Sequence, residues 1–358
     1  MQKNFFSRKN GNVCPYTCQV EESGESSTTR KKEKIMFETC FLHNSEHRVS
    51  LRSGSLLVSQ GQEIIGTHPL ETLERIVVFG NPQITTQALK SCLETGIEVQ
   101  YYSQYGKYLG MIYPHVFKDT SRRLAQYRLV SDNSIRLAWG KAIIKAKLKT
   151  YELEYRRMLD NGWHPSKRDF LPMIHQYEEQ LDKACSDKSL MGIEGMSAKT
   201  YYNTFSECLP EGWAWNGRHY HPATDEINAL LSLTYALATG YLESQCRQHG
   251  LDPTLSFLHR LGYGSGGLAT DLVEIFRVSV CDHGVLKALR GRKIGLSDFN
   301  GHEEEFLLTA GGFKRYMGYY HNSLEPLVEK LSKKLFTVLS ARLTDGEIPN
   351  FLQLQPER

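Results

Sequence analysis

The hydrophobic period of the chain changes once. From Phe37 to about Pro114 apolar positions recur mainly every second residue, in β-branched and aromatic runs cut by turn residues, the alternation of half-buried strands. Leu56 to Val58 and Glu63 to Ile65 flank Gln60-Gly61-Gln62 and predict a hairpin. Ile76 to Phe79 is a continuous apolar run, as in a buried strand. Thr86 to Thr95 predicts a helix closed by Gly96. Ile97 to Tyr102 and Tyr108 to Ile112 predict strands around Gly106. The sum is a small sheet domain with a helix and no acid–base constellation, suited to packing or dimerisation.

After Tyr113-Pro114 the period becomes helical and stays so. Arg122 to Leu159 reads as one long or briefly broken helix, and Asp225 to Tyr241 as a strongly apolar helix at the centre of a bundle. Asn322-Ser-Leu-Glu325 with Pro326 predicts a capping box opening a final helix to about Arg342. The predicted class is α+β: a small N-terminal mainly-β domain followed by a larger all-α-helical C-terminal domain. The expected boundaries are a polar extension over 1–35, a β-rich dimerisation domain over 36–114, a helical catalytic domain over 120–342 and a loose tail over 343–358. The extension is either an added arm or the tail of a fused upstream domain.

Composition narrows the class. A chain of 358 residues accommodates two cores. The formal net charge is only +3, so a nucleic-acid surface has to come from local clustering. No apolar stretch reaches the length of a membrane span, and the N-terminus lacks a secretory core. Eight cysteines without a framework point to a reducing, cytoplasmic setting. Cys14 and Cys18 form one close pair, too few for a tetrahedral zinc site, and read as incidental.

Charge does cluster between Lys118 and Lys149. Arg122, Arg123, Arg128, Arg136, Lys141, Lys145 and Lys147 face only Asp119 and Asp132 there. Such a run reads equally as a solvated face and as a phosphate track. Lys287, Arg290, Arg292 and Lys293 form a second cluster that extends the track. Arg218, His219 and His221 beside Trp213 and Trp215 suit a splayed DNA end, while the tryptophans suit a core equally well.

The candidate chemistry lies at Asp271-Leu-Val-Glu274-Ile-Phe-Arg277. On a helix Asp271, Glu274 and Arg277 share a face, and the apolar residues between them predict burial on the other side. Buried carboxylates need a partner or a metal. His259 supplies an imidazole a short loop away, and Glu194 is a third candidate, read as lying near a helix start where the dipole favours a carboxylate. Gly262 to Gly267 lacks the spacing of a P-loop, so nucleotide hydrolysis is not implied.

Phe257-Leu-His259 followed by the Asp271 to Arg277 stretch resembles the CRISPR-associated spacer-acquisition integrase and endonuclease family (Cas one). Gly192-Ile-Glu194-Gly195 with Tyr201 and Phe205 agrees with it, as do His221 to Tyr235, Pro69-Leu-Glu71 and Ile76 to Asn81. The resemblance spans roughly 36 to 340. Val278 stands where the family often has proline, which leaves the following turn open.

The resemblance implies Glu194, His259 and Glu274 as ligands of Mg²⁺ or Mn²⁺, with Zn²⁺ not excluded. Asp271 is expected to orient or assist, and Arg277 to neutralise a phosphate oxygen. Arg122, Arg123, Lys145, Arg218, Lys287 and Arg290 are the expected DNA contacts. The implied partners are DNA (captured spacer DNA and the CRISPR repeat), a second copy of the chain paired largely through the β-rich part, and a small ferredoxin-like adaptation subunit (Cas two). The implied reaction joins 3′-hydroxyl ends of a short captured DNA to the repeat. A stand-alone metal-dependent nuclease and a non-catalytic DNA-holding scaffold are the alternatives.

Overall fold

The computed structural model describes residues 38–354 apart from 116–119, 164, 166–169, 220–222, 260–266 and 303–304. The polar extension, the Cys14 and Cys18 pair, Lys118, Asp119, His221, Pro222 and the glycine run up to 266 therefore lie outside the described residues. The chain divides into two compact units, one ending at His115 and one starting at Val116.

The first unit carries two four-stranded sheets. Strands β1 (Glu38–Leu42), β2 (His47–Arg52), β3 (Ser55–Gln60), β4 (Glu63–Pro69), β5 (Leu73–Phe79) and β6 (Gln83–Ile84) precede helix α1 (Thr86–Thr95). Strands β7 (Glu98–Tyr102) and β8 (Tyr108–Ile112) follow it. One sheet has the order β1-β5-β7-β8 and the other β4-β3-β2-β6. The expected hairpin is β3 and β4, with Gln60 opposite Glu63 and Gly61 at φ +60° in the tight turn. Strand β5 is central and parallel to both neighbours, so Ile76, Val77, Val78 and Phe79 are all buried. Helix α1 is closed by Gly96 in the left-handed region, as its sequence predicts; the Thr85 side chain caps its start.

The second unit is mainly helical. Helices α2 (Ser121–Ser131) and α3 (Asn133–Asp160) are broken at Asp132, whose carboxylate caps α3 through Ser134 and Ile135. Helices α4 (Phe170–Lys183), α5 (Asp187–Glu207) and α6 (Glu226–Gln248) follow. Helix α6 begins one residue after Asp225, whose side chain caps it by accepting from the Asn228 N–H, and its mostly buried residues make it central to the bundle. Then come α7 (Leu268–Val273), α8 (His283–Arg290), the short strands β9 (Phe299–His302) and β10 (Glu305–Leu308), α9 (Ala310–Tyr319) and α10 (Glu325–Asp345).

Four expectations are corrected. The larger unit is not all-helical, because β9 and β10 pair as an antiparallel hairpin. The capping box is not made: a π-helical turn, Tyr320–Leu324, joins α9 to α10, and Asn322 donates back to the Gly318 carbonyl at 2.8 Å. Pro326 is tolerated because it falls in the first turn of α10. Part of the expected loose tail is packed: Phe351–Leu354 forms a 3₁₀ turn with both end residues buried, and Phe351 meets Trp139 edge-on. Finally, Asp271 to Arg277 is not one regular helix. Helix α7 ends at Val273, tight bonds join Ile275 to Leu272 and Phe276 to Val273, and a π-helical turn, Val278–Asp282, follows. No helix among the described residues is long and apolar enough to cross a membrane.

Candidate active site

Four segments supply the site. Helix α3 contributes Lys147, α5 contributes Glu194, the 251–259 loop contributes His259, and the turn after α7 contributes Glu274 and Arg277. The stretch from Asp271 to Val280 is buried throughout, including Asp271, Glu274 and Arg277, so it lacks the solvated face a charged helix would show. Its loop is drawn close by Gly267, where a Cβ would lie 2.0 Å from the Pro253 carbonyl oxygen.

Asp271 organises that loop. Its carboxylate lies 2.8 Å from Ser256 Oγ through either oxygen, and accepts from the Phe257 and Leu258 backbone N–H groups at 2.6 and 3.0 Å. It also meets His259 Nδ1 at 2.6 Å. Burial opposes charge on that ring, but the Asp271 bond and the nearby Glu274 and Glu194 carboxylates outweigh it and raise the His259 pKa above the ordinary value. Nε2 is thereby left as the ring nitrogen turned away from Asp271, the arrangement in which a carboxylate fixes a ligating imidazole. Asp271→Asn, which keeps one accepting oxygen for the Phe257 and Leu258 N–H groups, is expected to lower any metal-dependent activity about 10–100-fold while lowering the melting temperature less than Asp271→Ala does. Steady-state rates beside thermal melts check it.

Glu194 and Glu274 come together around Lys147. The fully buried ammonium is ion-paired with Glu194 Oε1 and lies 2.6 Å from Glu274 Oε2. Arg277 Nη1 lies 2.7 Å from the other Glu274 oxygen. Burial alone would raise the Glu274 pKa, but Arg277 and Lys147 hold it below the ordinary carboxylate value. Burial and Arg277 oppose charge on Lys147, and the two glutamates overcome them and raise its pKa. The pairs therefore persist as ions at neutral pH.

The sequence reading needs correcting at several of these residues. Glu194 lies in the third turn of α5, whose cap is Ser186, too far in for the helix dipole to matter. Arg277 does not reach outward: it is buried, paired with Glu274, and its guanidinium lies 5.1 Å from the Tyr235 ring centre. Lys147 belongs to the site and not to a surface track. Its neighbours in the basic run are also matched, with Arg136 ion-paired to Asp187 and Lys149 2.6 Å from Glu152. Among the described residues no group of three or more histidine, cysteine, aspartate or glutamate side chains stands ready to hold a metal ion.

The expected DNA contacts scatter. Arg123 and Lys145 are exposed on α2 and α3. Arg122 reaches the His249 carbonyl at 3.4 Å. Arg218 is held inward by Asn228 Oδ1 at 2.9 Å and Ser232 Oγ at 3.1 Å, and stands 5.2 Å from the Tyr235 ring centre. Arg290 donates to the Cys208 carbonyl at 2.8 Å and lies over Trp163. Trp215 packs on Tyr202 and Phe205, and Trp213 on Phe299. These tryptophans serve the core edge.

Behind the site lies a second buried polar set that sequence reasoning missed. Asp282 accepts from the Tyr235 hydroxyl, and burial pushes its pKa up to about 7. Glu154 meets His283 Nδ1 at 2.5 Å. Burial raises the Glu154 pKa to about 8 and lowers that of His283 to about 3. Native Glu154 keeps a proton that the unfolded chain loses near its ordinary 4.5, so its contribution to stability falls as pH rises from there to about 8. His283 acts oppositely, but only up to its ordinary 6.5. The fall in melting temperature between pH 6.5 and 8 is therefore expected to be smaller in Glu154→Gln than in the wild type, as a series of buffered melts would read.

A family model described as CRISPR associated protein Cas1 matches residues 40–322. The CRISPR-associated endonuclease Cas1 3 of Thermus thermophilus is 32% identical over 323 residues, covering 87% of this chain and 95% of the relative. Among solved structures, a casposase bound to integration product superposes with a TM-score of 0.77 at 20% identity, covering 90% of this chain and 95% of that one. A chain of a Cas6-RT-Cas1–Cas2 complex gives a TM-score of 0.73 at 18% identity, covering 90% and 37%. The two structural likenesses establish the fold.

Proposed function

The chain belongs to the CRISPR-associated Cas1 family, and from that membership we propose that it is a metal-dependent DNA integrase of CRISPR adaptation. It joins the 3′-hydroxyl ends of a short captured DNA to the CRISPR repeat by transesterification. The observation that carries this reading is the convergence of the Glu194 and Glu274 carboxylates on one buried cation, beside an imidazole oriented by Asp271.

The donor set suits Mg²⁺ or Mn²⁺. Two carboxylates and one ring nitrogen are the donor types such ions accept, and Glu194 Oε1 and Glu274 Oε2 already face one cation, the Lys147 ammonium. Glu194, Glu274 and His259 would hold the ion. When bound, it withdraws charge from the scissile phosphate and lowers the pKa of the attacking hydroxyl. Lys147 holds the two acids together in the ion's absence and offsets their repulsion. Arg277 fixes Glu274 from the other side, and Asp271 fixes the His259 ring. No nucleotide is consumed, because one phosphodiester replaces another.

The chain acts as a homodimer with a small ferredoxin-like Cas2 subunit. The Cas6-RT-Cas1–Cas2 complex supports that partner and the casposase on its product supports DNA. The test incubates the purified protein with Mn²⁺, the Cas2 partner, a short labelled duplex and a repeat-bearing plasmid, with and without EDTA. Labelled plasmid that disappears with EDTA is the expected result. Cleavage without joining favours the stand-alone nuclease. DNA binding with neither reaction, in both conditions, favours the scaffold.

A further inference from the structure

A second cleft, with a volume of about 340 Å³, opens between the end of α3, the π-helical turn with α8, and α10. Arg157, Lys287, Lys330 and Lys334 line it, and no lining residue is acidic. Lys330 and Lys334 stand one turn apart on α10, and both, like Lys287, are exposed. Among the described residues none of these three lysines has an ion-pair partner within reach. Arg157 does have one: it lies 3.2 Å from Glu154 Oε2. Burial keeps that carboxyl protonated at neutral pH, with a pKa of about 8, so it does not cancel the charge. Leu327, Leu331 and Val280 form an apolar wall, and Asn161 adds an amide. Converging cations beside an apolar wall, in a volume of this size, match a small anionic ligand with a flat apolar part.

We infer that this cleft binds a phosphorylated nucleotide, either free or as the 5′-terminal residue of a DNA strand, at a site distinct from the reaction centre. Arg157 is ten residues beyond Lys147 on α3, which at 1.5 Å per residue is roughly 15 Å. One phosphate cannot serve both places. The expected basic track on α8 is also divided, because Lys287 lines this cleft while Arg290 lines a separate cavity with Trp213.

The experiment titrates ADP, a 5′-phosphorylated trinucleotide and its 5′-hydroxyl counterpart into the full chain by calorimetry. EDTA is present throughout, so that no metal bridges ligand to the reaction centre. Saturable binding of ADP, or of the 5′-phosphorylated trinucleotide over its 5′-hydroxyl counterpart, is expected. The affinity should fall at least about tenfold in Lys330→Ala/Lys334→Ala, whose changes lie on an exposed helix face, and should persist in Glu194→Ala. ADP binding identifies a free nucleotide as the ligand; binding of the 5′-phosphorylated strand alone identifies a strand end. The inference is overturned by no saturable binding at millimolar ligand, by equal binding of both trinucleotides without ADP binding, by equal affinity in the double variant, or by loss in Glu194→Ala.

Discussion

Glu194→Ala is expected to reduce joining of a labelled DNA end to a repeat by more than about 100-fold, beyond the loss caused by removing a residue that only orients a ligand. The Glu194 side chain is partly exposed at the edge of the site, so its truncation opens no large cavity. It leaves Lys147 with Glu274 still beside it. DNA binding should stay close to wild type, because the substitution removes no cation and leaves the exposed Arg123 and Lys145 in place. Gel-shift and joining assays on one preparation separate the two effects. Joining at the wild-type rate would remove Glu194 from the chemistry. A parallel loss of binding and of melting temperature would show a structural role instead.

Lys147→Met should have the second large effect, and on stability first. The substitution keeps an unbranched chain of similar length on the buried face of α3 but strips Glu194 and Glu274 of their shared cation. Breaking a buried ion pair by removing one partner costs about 3–5 kcal/mol. For a unit of this size that lowers the melting temperature by roughly 6–20 °C. Mn²⁺ binds only the native site and so stabilises it by mass action, by about 2.7 kcal/mol at a hundredfold excess over its dissociation constant. Added Mn²⁺ should therefore raise the melting temperature of Lys147→Met more than that of the wild type, where the ammonium opposes the ion. Equal shifts in both proteins would mean that the metal does not bind between these carboxylates.

Lys147 also shows where the sequence was legible and where it was not. Counted along the chain, it belongs to a basic run. Counted by helical period, it falls on the buried stripe of Ile143, Ile144, Tyr151, Glu154 and Met158. A lysine on an apolar face was the available signal, and one-dimensional charge clustering hid it. Arg136 and Lys149 were misread for the same reason: their carboxylate partners, Asp187 and Glu152, sit at or beyond the end of the run. The hairpin and the end of α1 were readable because turn glycines, Gly61 and Gly96, mark them locally. The π-helical turns at Val278–Asp282 and Tyr320–Leu324 were not, because tertiary packing sets them and no residue type marks them. The resemblance of separated motifs grouped Glu194 with Glu274. Periodicity alone gives no reason for α5 to approach the turn after α7.

The most direct measurement is anomalous diffraction from crystals of the full chain soaked in Mn²⁺. One peak is predicted within about 2.2 Å of carboxylate oxygens of both Glu194 and Glu274 and of His259 Nε2, with the Lys147 ammonium displaced from between the acids. A saturating soak that leaves no peak there, with Lys147 still bridging Glu194 and Glu274, would contradict the account.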